Sequence, residues 1–266
     1  MIGYYSNKTV WITGASSGIG EAMALQLAKE KANLILSSEN KSELERVAAI
    51  LNSYGAETAV YLLDLADTKQ VEETTNKIIA AYERIDVLIL NAGISQRAIA
   101  LETSMQVHEK IMQVNFMANV FITKAVLPKM IAQGGGHIGV TSSISGKFGF
   151  YYRSSYAASK HALHGFFESV LLENRKDNVF VSIICPGRVK TKISYNALKA
   201  DGNPHAKMDQ GQNQGISAEK CAAKYLKAIR KRKKEKLIGG KELLMVYFKR
   251  YLPSFFYYMA KRIKPM

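Results

Sequence analysis

Cysteine is scarce in this chain of 266 residues, which contains only Cys185 and Cys221. Two cysteines cannot form the several disulfides that stabilise small secreted domains, and they favour a reducing compartment. No uninterrupted apolar run approaches the roughly 18 residues of a membrane span, and the first residues lack the apolar core of a signal peptide. We therefore expect a cytoplasmic protein with one substantial hydrophobic core.

Acidic residues are scarce near the C-terminus. The chain has 37 Lys and Arg against 22 Asp and Glu, and residues 227–266 hold thirteen of these cations against only Glu235 and Glu242. Aromatic and aliphatic side chains are interleaved with the cations. Such a segment suits peripheral contact with an anionic membrane, packing on its own domain or packing on a second copy of the chain. Nucleic acid is the least expected partner.

Apolar runs alternate with helical patterns along the chain, which is typical of a parallel sheet covered on both faces. Strands are predicted near 8–13, 33–37, 58–63, 85–90, 136–142, 178–184 and 236–239. Helices are predicted near 18–30, 41–53, 68–82, 104–132, 154–175, 217–231 and 242–262. The pattern predicts a single α/β domain with a doubly wound parallel sheet of about seven strands. We divide it into a catalytic region, 1–240, and a helical C-terminal extension, 241–266.

One segment, residues 190–216, breaks this alternation and has little periodicity. Long loops in compact domains are usually functional or disordered. Because this one follows a strand of the predicted sheet, we interpret it as a substrate loop rather than a disordered segment.

A glycine-rich segment joins the first predicted strand to the first helix. Gly14 permits a sharp turn, Gly18 lets the backbone approach a pyrophosphate, and Gly20 lets the helix pack on the strand. The helix N-terminus offers free N–H groups and a positive dipole to phosphates. The segment therefore predicts a dinucleotide site. Its residues are Gly14, Ser16, Ser17, Gly18, Ile19 and Gly20.

Tyr156 and Lys160 are four residues apart, with Ser143 thirteen residues before the tyrosine. On a helix, positions i and i+4 share a face, so the phenol and the ammonium project together. A nearby ammonium favours the phenolate and lowers the pKa of the tyrosine toward the working range. With Ser143 holding the substrate oxygen, this set can add a proton to a carbonyl or remove one from an alcohol.

These motifs together resemble the short-chain dehydrogenase/reductase family. The resemblance rests on Thr13-Gly14-x3-Gly18-x-Gly20, Asn91-Ala92-Gly93, Asn115, Ser143, Tyr156-x3-Lys160 and Pro186-Gly187. It spans roughly residues 6–240 and implies a Rossmann-type fold and a nicotinamide-dependent oxidoreductase that interconverts an alcohol and a ketone or aldehyde. A weaker likeness to membrane-associated members, together with Phe148, Tyr151 and Tyr152, favours a small apolar substrate that is lipid-, steroid- or retinoid-like.

The resemblance also implies a role for each site residue. Tyr156 is the general acid and base, Ser143 positions the substrate oxygen, Lys160 also binds the nicotinamide ribose, and Asn115 holds a water that relays protons. Without the resemblance, Asn115 is a polar residue that bends a helix, and Asp64 is a helix N-cap. The remaining positions implied for the cofactor are Asp64 and Leu65 at the adenine, Asn91, Ala92 and Gly93 at the adenosine ribose, and Pro186, Gly187, Val189 and Thr191 at the nicotinamide.

Glu39 follows the second predicted strand, 21 residues after Gly18. A carboxylate at this place accepts a hydrogen bond from the ribose 2′-hydroxyl and repels a 2′-phosphate. NAD(H) is therefore favoured. The family's acidic residue usually stands one position earlier, where this chain has Ser38, and Lys41 could turn inward to a phosphate, so NADP(H) stays open.

No metal is expected, since no cluster of further ligands accompanies His161 and His164 and the chemistry of the family that the chain resembles is metal-free. The long helices predicted at 104–132 and 154–175 resemble those that pair across subunits in the family, which implies a homodimer or homotetramer. Two other functions are considered beside the enzyme: a dinucleotide-sensing binding protein without catalysis, and an interaction protein that uses the basic C-terminus at a membrane.

Overall fold

A computed structural model describes residues 3–263 of the chain. Its strands form one parallel sheet in the order β3-β2-β1-β4-β5-β6-β7. The strands are β1 (Thr9–Thr13), β2 (Asn33–Ser38), β3 (Thr58–Leu62), β4 (Val87–Leu90), β5 (Gly136–Thr141), β6 (Val179–Pro186) and β7 (Glu235–Ile238). The predicted seven-stranded parallel sheet is confirmed, and its strands begin and end within two residues of the expected positions.

Helices cover both faces of this sheet. They are α1 (Gly18–Lys29), α2 (Lys41–Ser53), α3 (Thr68–Ala81), α4 (Met105–Met112), α5 (Ala118–Ala132), α6 (Ser154–Glu173), α7 (Gln210–Asn213), α8 (Ala218–Arg230), α9 (Leu244–Tyr251) and α10 (Pro253–Ala260). One apolar cluster joins the sheet to α1, α2 and α8, and a second joins its other face to α3, α5 and α6. Both faces are therefore covered, which is why every residue of β1 and β4 is buried.

The chain changes its direction of winding between β1 and β4. From β1 it proceeds outward to β2 and β3, then returns to place β4 on the other side of β1. In open parallel sheets the loops at such a switch point diverge and leave a crevice beyond the carboxyl ends of the strands. The glycine loop after β1 and the segment after β4 form the two sides of this crevice.

Two predicted helices are interrupted. The expected helix 104–132 contains a π-helical turn, Gln113–Met117, between α4 and α5. The expected helix 242–262 is divided at Pro253 into α9 and α10, because proline lacks the N–H that a continuous helix needs. The 190–216 segment is ordered by isolated bridges, Gln96 to Leu198 and Val189 to Ile216, and it contains α7.

By length and composition, one helical stretch among residues 3–263 could cross a membrane. It is Met105–Ala132, with a mean hydropathy of 1.2 and 44% of its most apolar window buried. Core helices meet the same criterion, and this stretch packs against α3 and α6. The finding is therefore weak evidence for a span, and the predicted cytoplasmic location stays a prediction.

The C-terminal helices pack on the domain through Phe256, whose side chain is buried and lies 5.2 Å from Phe148 between ring centroids. The division into residues 1–240 and 241–266 stays a prediction.

Candidate active site

A cavity of about 840 Å³ lies at the carboxyl ends of the strands. Of the predicted site residues, Gly20 and Asn115 lie behind its wall and the others line it. The segments 93–99, 145–153 and 190–216 all contribute to the wall. Tyr151 and Tyr152 do not, so the apolar wall in that region consists of Phe148 and Phe150.

The glycine loop has the backbone conformation that glycine allows. Gly14 has φ of +66° and Gly18 has φ of +58°, which side-chain-bearing residues rarely adopt. A Cβ on Gly14 would lie 2.8 Å from the Cα of Ala92, and one on Gly20 would overlap the carbonyl oxygen of Gly14. The loop therefore keeps α1 close to β1 and β4.

The N-terminus of α1 is open toward the cavity. Its N-cap residue, Ser17, makes no side-chain hydrogen bond to the helix, whereas Asn40 caps α2 and Asp67 caps α3. The cap of α3 is thus Asp67 rather than Asp64, which accepts a hydrogen bond of 2.8 Å from the backbone N–H of Ala66. Uncapped N–H groups beside a glycine loop fit a phosphate group.

The side chain of Asn91 forms hydrogen bonds with neighbouring residues of the protein. Its amide nitrogen donates to the carbonyl oxygens of Thr13 at 3.3 Å and Gly14 at 3.2 Å, so it holds the glycine loop against β4. The hydroxyl of Thr141 donates to its amide oxygen at 3.4 Å.

The phenol of Tyr156 is buried. Tyr156 lies in the first turn of α6 and lines the same cavity as Ser143, which follows β5. Burial raises the pKa of Tyr156, and the neighbouring Ser143 hydroxyl and the positive charges of Arg97 and Arg153 only partly oppose the rise. The direction is opposite to the one that the Tyr-x3-Lys spacing predicts, because desolvation of the phenolate outweighs the attraction of the cations.

Lys160 lies beneath the phenol, with its Nζ 5.7 Å from the centroid of the Tyr156 ring. The ammonium donates to the carbonyl oxygen of Thr141 at 2.8 Å, and burial lowers the pKa of Lys160 to about 8. A lysine with this pKa has lost most of its charge near pH 10, where an ordinary phenol ionises. Lys160 therefore contributes its charge mainly below pH 8.

Asn115 is fully buried within the π-helical turn. Its amide oxygen accepts from the N–H of Ile94 at 2.9 Å, and its amide nitrogen donates to the carbonyl oxygen of Ile94 and to Ser159, both at 3.0 Å. A Cβ on Gly93 would lie 3.1 Å from the Asn115 oxygen and 3.3 Å from Lys160 Nζ. The side chain thus fixes the segment after β4 against α6, and the predicted water relay stays a prediction.

The end of the cavity near β2 contains Glu39, whose side chain is exposed at the rim. Ser38 is buried, and its hydroxyl lies 2.8 Å from that of Ser16. Lys41 pairs with Glu45 at 3.8 Å on its own helix rather than turning inward.

The opposite end is built by Gly187 and a residue that the sequence did not indicate, Glu242. The Glu242 carboxylate accepts hydrogen bonds from the N–H of Arg188 at 2.9 Å and of Gly240 at 3.0 Å. A Cβ on Gly187 would overlap this carboxylate. Glu242 therefore links the C-terminal extension to the loop after β6, where Val189 and Thr191 also line the cavity.

The sequence also did not indicate a group of charged side chains on the substrate side. Arg97, Arg153 and Asp209 line the cavity and form buried ion pairs. No sequence pattern could have joined them, since Arg97 and Asp209 are 112 residues apart.

The two histidines of α6 do not converge on one site. His161 Nδ1 lies 2.8 Å from the carbonyl oxygen of Ala157, while His164 turns toward Ser142. Within residues 3–263, the ligand atoms of His164, Glu168 and Glu235 do lie within 4.8 Å of one another. The ammonium of Lys147 already occupies this place, 3.1 Å from His164 Nδ1 and paired with Glu235.

Comparison with known proteins agrees with this geometry. A family model described as short chain dehydrogenase matches residues 8–201. A relative from Drosophila melanogaster, dehydrogenase/reductase SDR family protein 7-like, is 38% identical over 261 residues, which cover 96% of this chain and 80% of the relative. The chain therefore belongs to the short-chain dehydrogenase family of oxidoreductases, which confirms the predicted resemblance.

Solved structures give the same fold. A short-chain dehydrogenase/reductase from Burkholderia phymatum, in complex with NAD, superposes with a TM-score of 0.83 at 24% identity, covering 98% of this chain and 97% of that one. A short-chain dehydrogenase from Sphingobium yanoikuyae, in complex with NADPH, has a TM-score of 0.77 at 23% identity, covering 86% and 87%. At these identities the likeness shows the fold alone.

Proposed function

We propose that this protein interconverts an alcohol and a ketone or aldehyde with a nicotinamide dinucleotide, using Tyr156 as the general acid and base. The observation that supports this most strongly is the position of Ser143, Tyr156 and Lys160 in one cavity with the glycine loop. A non-catalytic dinucleotide sensor would not need the Tyr156 phenol as a proton donor or the Ser143 hydroxyl as a ligand of the substrate oxygen.

The glycine loop fits the dinucleotide, because its glycines leave room for close approach and the N-terminus of α1 is uncapped. Gly14, Ser16, Ser17, Gly18 and Ile19 would hold the phosphates. Asp64, Leu65, Ala92 and Gly93 would hold the adenosine, and Pro186, Gly187, Val189 and Thr191 the nicotinamide. When bound, the dinucleotide supplies or accepts the hydride.

The side chains of this protein control the proton. Because burial raises the pKa of Tyr156, the phenol is protonated at neutral pH and ready to donate to a carbonyl oxygen. Ser143 would donate a hydrogen bond to the same oxygen and fix its position. Oxidation of an alcohol requires the phenolate, so we expect it to become faster as the pH rises.

NAD(H) is the favoured cofactor. Glu39 lines the cavity at the end where the adenosine ribose would lie, and a carboxylate there would repel a 2′-phosphate. The nearby Lys41 is paired with Glu45. The substrate that fits best is a small apolar alcohol or ketone, since Phe148, Phe150 and Met245 form an apolar wall.

Removing one oxygen atom tests the reaction. Tyr156→Phe keeps the ring and its packing but cannot transfer a proton, so we expect turnover to fall by roughly 100-fold or more with dinucleotide binding unchanged. The assay follows nicotinamide absorbance with a panel of apolar alcohols and ketones. If the wild-type protein turns over a substrate and Tyr156→Phe turns it over equally fast, the proposed role of Tyr156 is refuted.

A second function is favoured by the C-terminal surface. Tyr247, Tyr251, Phe255, Tyr257 and Tyr258 are between 43% and 69% exposed on α9 and α10. Cations lie beside them, with Lys249 4.4 Å from the Tyr257 ring and Arg262 3.8 Å from the Tyr258 ring. Exposed aromatic rings flanked by cations are suited to an anionic membrane surface. We call α9 and α10 together the C-terminal hairpin, and we propose that it contacts such a membrane peripherally.

We also propose that the protein is a homodimer or homotetramer. Large apolar side chains are exposed on or near the long helices, among them Leu101 at 93%, Met105 at 64% and Leu172 at 72%. Large exposed apolar side chains on such helices are commonly buried between subunits. Light scattering would measure the mass directly, and a monomer at micromolar concentration would contradict the proposal.

A further inference from the structure

Two buried arginines lie on the substrate side of the cavity. Arg97 follows β4, and Arg153 is the N-cap residue of α6, whose first turn carries Tyr156. Both arginines line the cavity, although their side chains are only 2% and 15% exposed. Burying a charge costs free energy unless the charge is paired. The partners of these two guanidiniums therefore decide what this side of the cavity can bind.

Arg97 is engaged with neighbouring groups of the protein through all three of its nitrogens. Its Nε lies 3.0 Å and its Nη2 2.6 Å from Asp209 Oδ2. Its Nη1 donates to the hydroxyl of Ser95 at 2.8 Å and to the carbonyl oxygen of Gln96 at 2.6 Å. Arg97 therefore contributes positive charge to the cavity, while its hydrogen bonds are made within the protein.

Arg153 is only partly engaged. Its Nη2 lies 2.9 Å from Asp209 Oδ2, and its Nη1 donates to the carbonyl oxygen of Tyr151 at 3.1 Å. Among the residues that the structure describes, these two contacts are the hydrogen bonds of the Arg153 side chain. A guanidinium has five N–H groups, so three of those of Arg153 are left to a ligand or to water.

The charges of this group do not balance. Within residues 3–263, the acidic partner of both arginines is Asp209. Burial opposes its ionisation, but the hydrogen bonds and charge of Arg97 hold the pKa of the carboxyl below its usual value. Burial lowers the pKa of Arg153 to about 10, so it is still charged at neutral pH. Two guanidiniums thus face one carboxylate, and a singly charged anion would balance the group.

An apolar surface adjoins Arg153. The centroid of the Phe150 ring lies 6.0 Å from the guanidinium carbon of Arg153, and Phe148 and Met245 line the cavity as well. A ligand that reaches Arg153 from the cavity therefore has this apolar wall within its reach. The combination fits an amphipathic molecule, with an anionic group at the guanidinium and a hydrocarbon part along the wall.

We propose that Arg153, which shares Asp209 with Arg97, binds a carboxylate of the substrate, so that the substrate is an apolar alcohol or ketone that also carries a carboxylate. This inference rests on the proposed function and makes its substrate class narrower. A carboxylate supplies the single negative charge that the group lacks and accepts charge-assisted hydrogen bonds, which are roughly twice as strong as neutral ones. Arg153 is thereby a specificity residue, and the reacting carbon lies elsewhere on the same molecule.

A matched pair of ligands tests the proposal. Octanoate and octanamide have the same hydrocarbon chain and nearly the same shape, but only octanoate is charged at neutral pH. Calorimetry measures the Kd of each ligand for the full-length protein. We expect the wild type to bind octanoate about 10-fold more tightly or better, which corresponds to one charge-assisted hydrogen bond. Arg153→Gln should lose this preference, and Arg153→Lys, which keeps the charge, should retain most of it.

The ratio of the two Kd values is the readout, because a merely structural role would not change it. If Arg153 only fastened α7 to the domain, Arg153→Gln would weaken the binding of both ligands alike. Lys192→Gln is the matched control, since it removes an exposed cation from the same cavity and should keep the wild-type ratio. The inference is overturned if the wild type does not prefer octanoate, if it binds no octanoate at millimolar concentration, or if Arg153→Gln keeps the preference.

A second variant serves if Arg153→Gln fails to fold by circular dichroism. Asp209→Asn removes the carboxylate that occupies both guanidiniums and leaves two positive charges without a partner in the group. The preference for octanoate should then rise above that of the wild type. A preference that is unchanged or lower in Asp209→Asn would count against the inference.

These titrations separate the inference from the proposed reaction, because they need neither dinucleotide nor turnover. Full turnover in Tyr156→Phe would refute the reaction whatever the titrations show. Where turnover is measured, an apolar oxo acid should have a higher kcat/KM than the corresponding amide. Arg153→Gln should remove this difference mainly through KM, since the carboxylate is bound in the ground state and in the transition state alike.

Discussion

At Lys160, burial and catalysis make opposite demands on one side chain. Burial lowers the pKa of the lysine from 10.5 to about 8, while its proposed role beside Tyr156 requires a positive charge at neutral pH. Between these two pKa values the unfolded chain binds the proton and the folded chain does not. The free energy of unfolding therefore rises with pH between about 8 and 10.5 on account of this group.

Lys160→Met removes this dependence and keeps a side chain of similar length. The quantity compared is the free energy of unfolding of the variant minus that of the wild type. We expect this difference to be larger at pH 7 than at pH 10, by on the order of 2 kcal/mol. Urea unfolding of both proteins at the two pH values measures the difference. Lys41→Met, which removes an exposed lysine, is the control for the loss of one charge. A stability difference that is the same at both pH values would contradict the burial of a titrating lysine.

The roles of residues that depend on local backbone conformation could be predicted from the sequence. The roles that depend on long-range contacts could not. The conformations of Gly14 and Gly18 follow from the strand–loop–helix pattern around them. Asp209 lies 112 residues from Arg97, in a segment without periodicity, so only the folded structure brings them together. The direction of the Tyr156 pKa was wrong for a related reason, since sequence spacing does not report burial.

At the scale of elements, short apolar runs located the central strands because strands buried on both faces, such as β1 and β4, are rich in apolar residues. The edge strands β3 and β7 are partly exposed, and their alternation with helical patterns located them. The apolar pattern predicted one continuous helix near 242–262, and this prediction overlooked the break that Pro253 marks between α9 and α10. The π-helical turn at Asn115 carries no proline or glycine to signal it, and the contacts of the Asn115 side chain with Ile94 become visible only in the fold.

The C-terminal hairpin is held to the domain chiefly by one side chain, which makes its docking testable. Phe256→Ala removes the buried ring that packs on Phe148, and we expect α10 to detach locally. Because Met245 and Ile263 line the cavity, detachment should also raise the KM for an apolar substrate.

Limited proteolysis within 244–262 measures this detachment, and we expect cleavage of Phe256→Ala to be faster than that of wild type. Tyr258→Ala, at an exposed aromatic of the same helix, is the matched control and should behave as wild type. Equal cleavage rates for the two variants would show that Phe256 does not anchor the hairpin.

For the whole molecule, the uneven charge distribution is the property that bears on partners. Eleven of the fifteen net positive charges lie in residues 227–266, and Glu242, Met245 and Ile263 of this segment line the cavity. An anionic bilayer bound to α9 and α10 would lie near the end of the cavity that Met245 and Ile263 line. This arrangement connects the proposed membrane contact with the proposed substrate class.

Vesicle co-sedimentation tests the membrane contact. We expect the protein to bind vesicles with anionic lipids, to release from them at high salt, and to bind neutral vesicles weakly. Replacing Tyr251 and Tyr258 with Ser should weaken binding, whereas Tyr54→Ser, at an exposed aromatic site directly after α2, should not. If the two variants bind vesicles equally well, the exposed rings of α9 and α10 do not form the membrane contact, and the proposal is refuted.

The central claim is that the cavity beside Tyr156 binds a nicotinamide dinucleotide, and a fluorescence titration with NADH and NADPH in parallel tests it most directly. The account predicts saturable binding at one site per chain, with NADH bound more tightly because the Glu39 carboxylate at the cavity rim would repel a 2′-phosphate. Tighter binding of NADPH would contradict the assignment of Glu39. Binding of neither dinucleotide would contradict the claim itself.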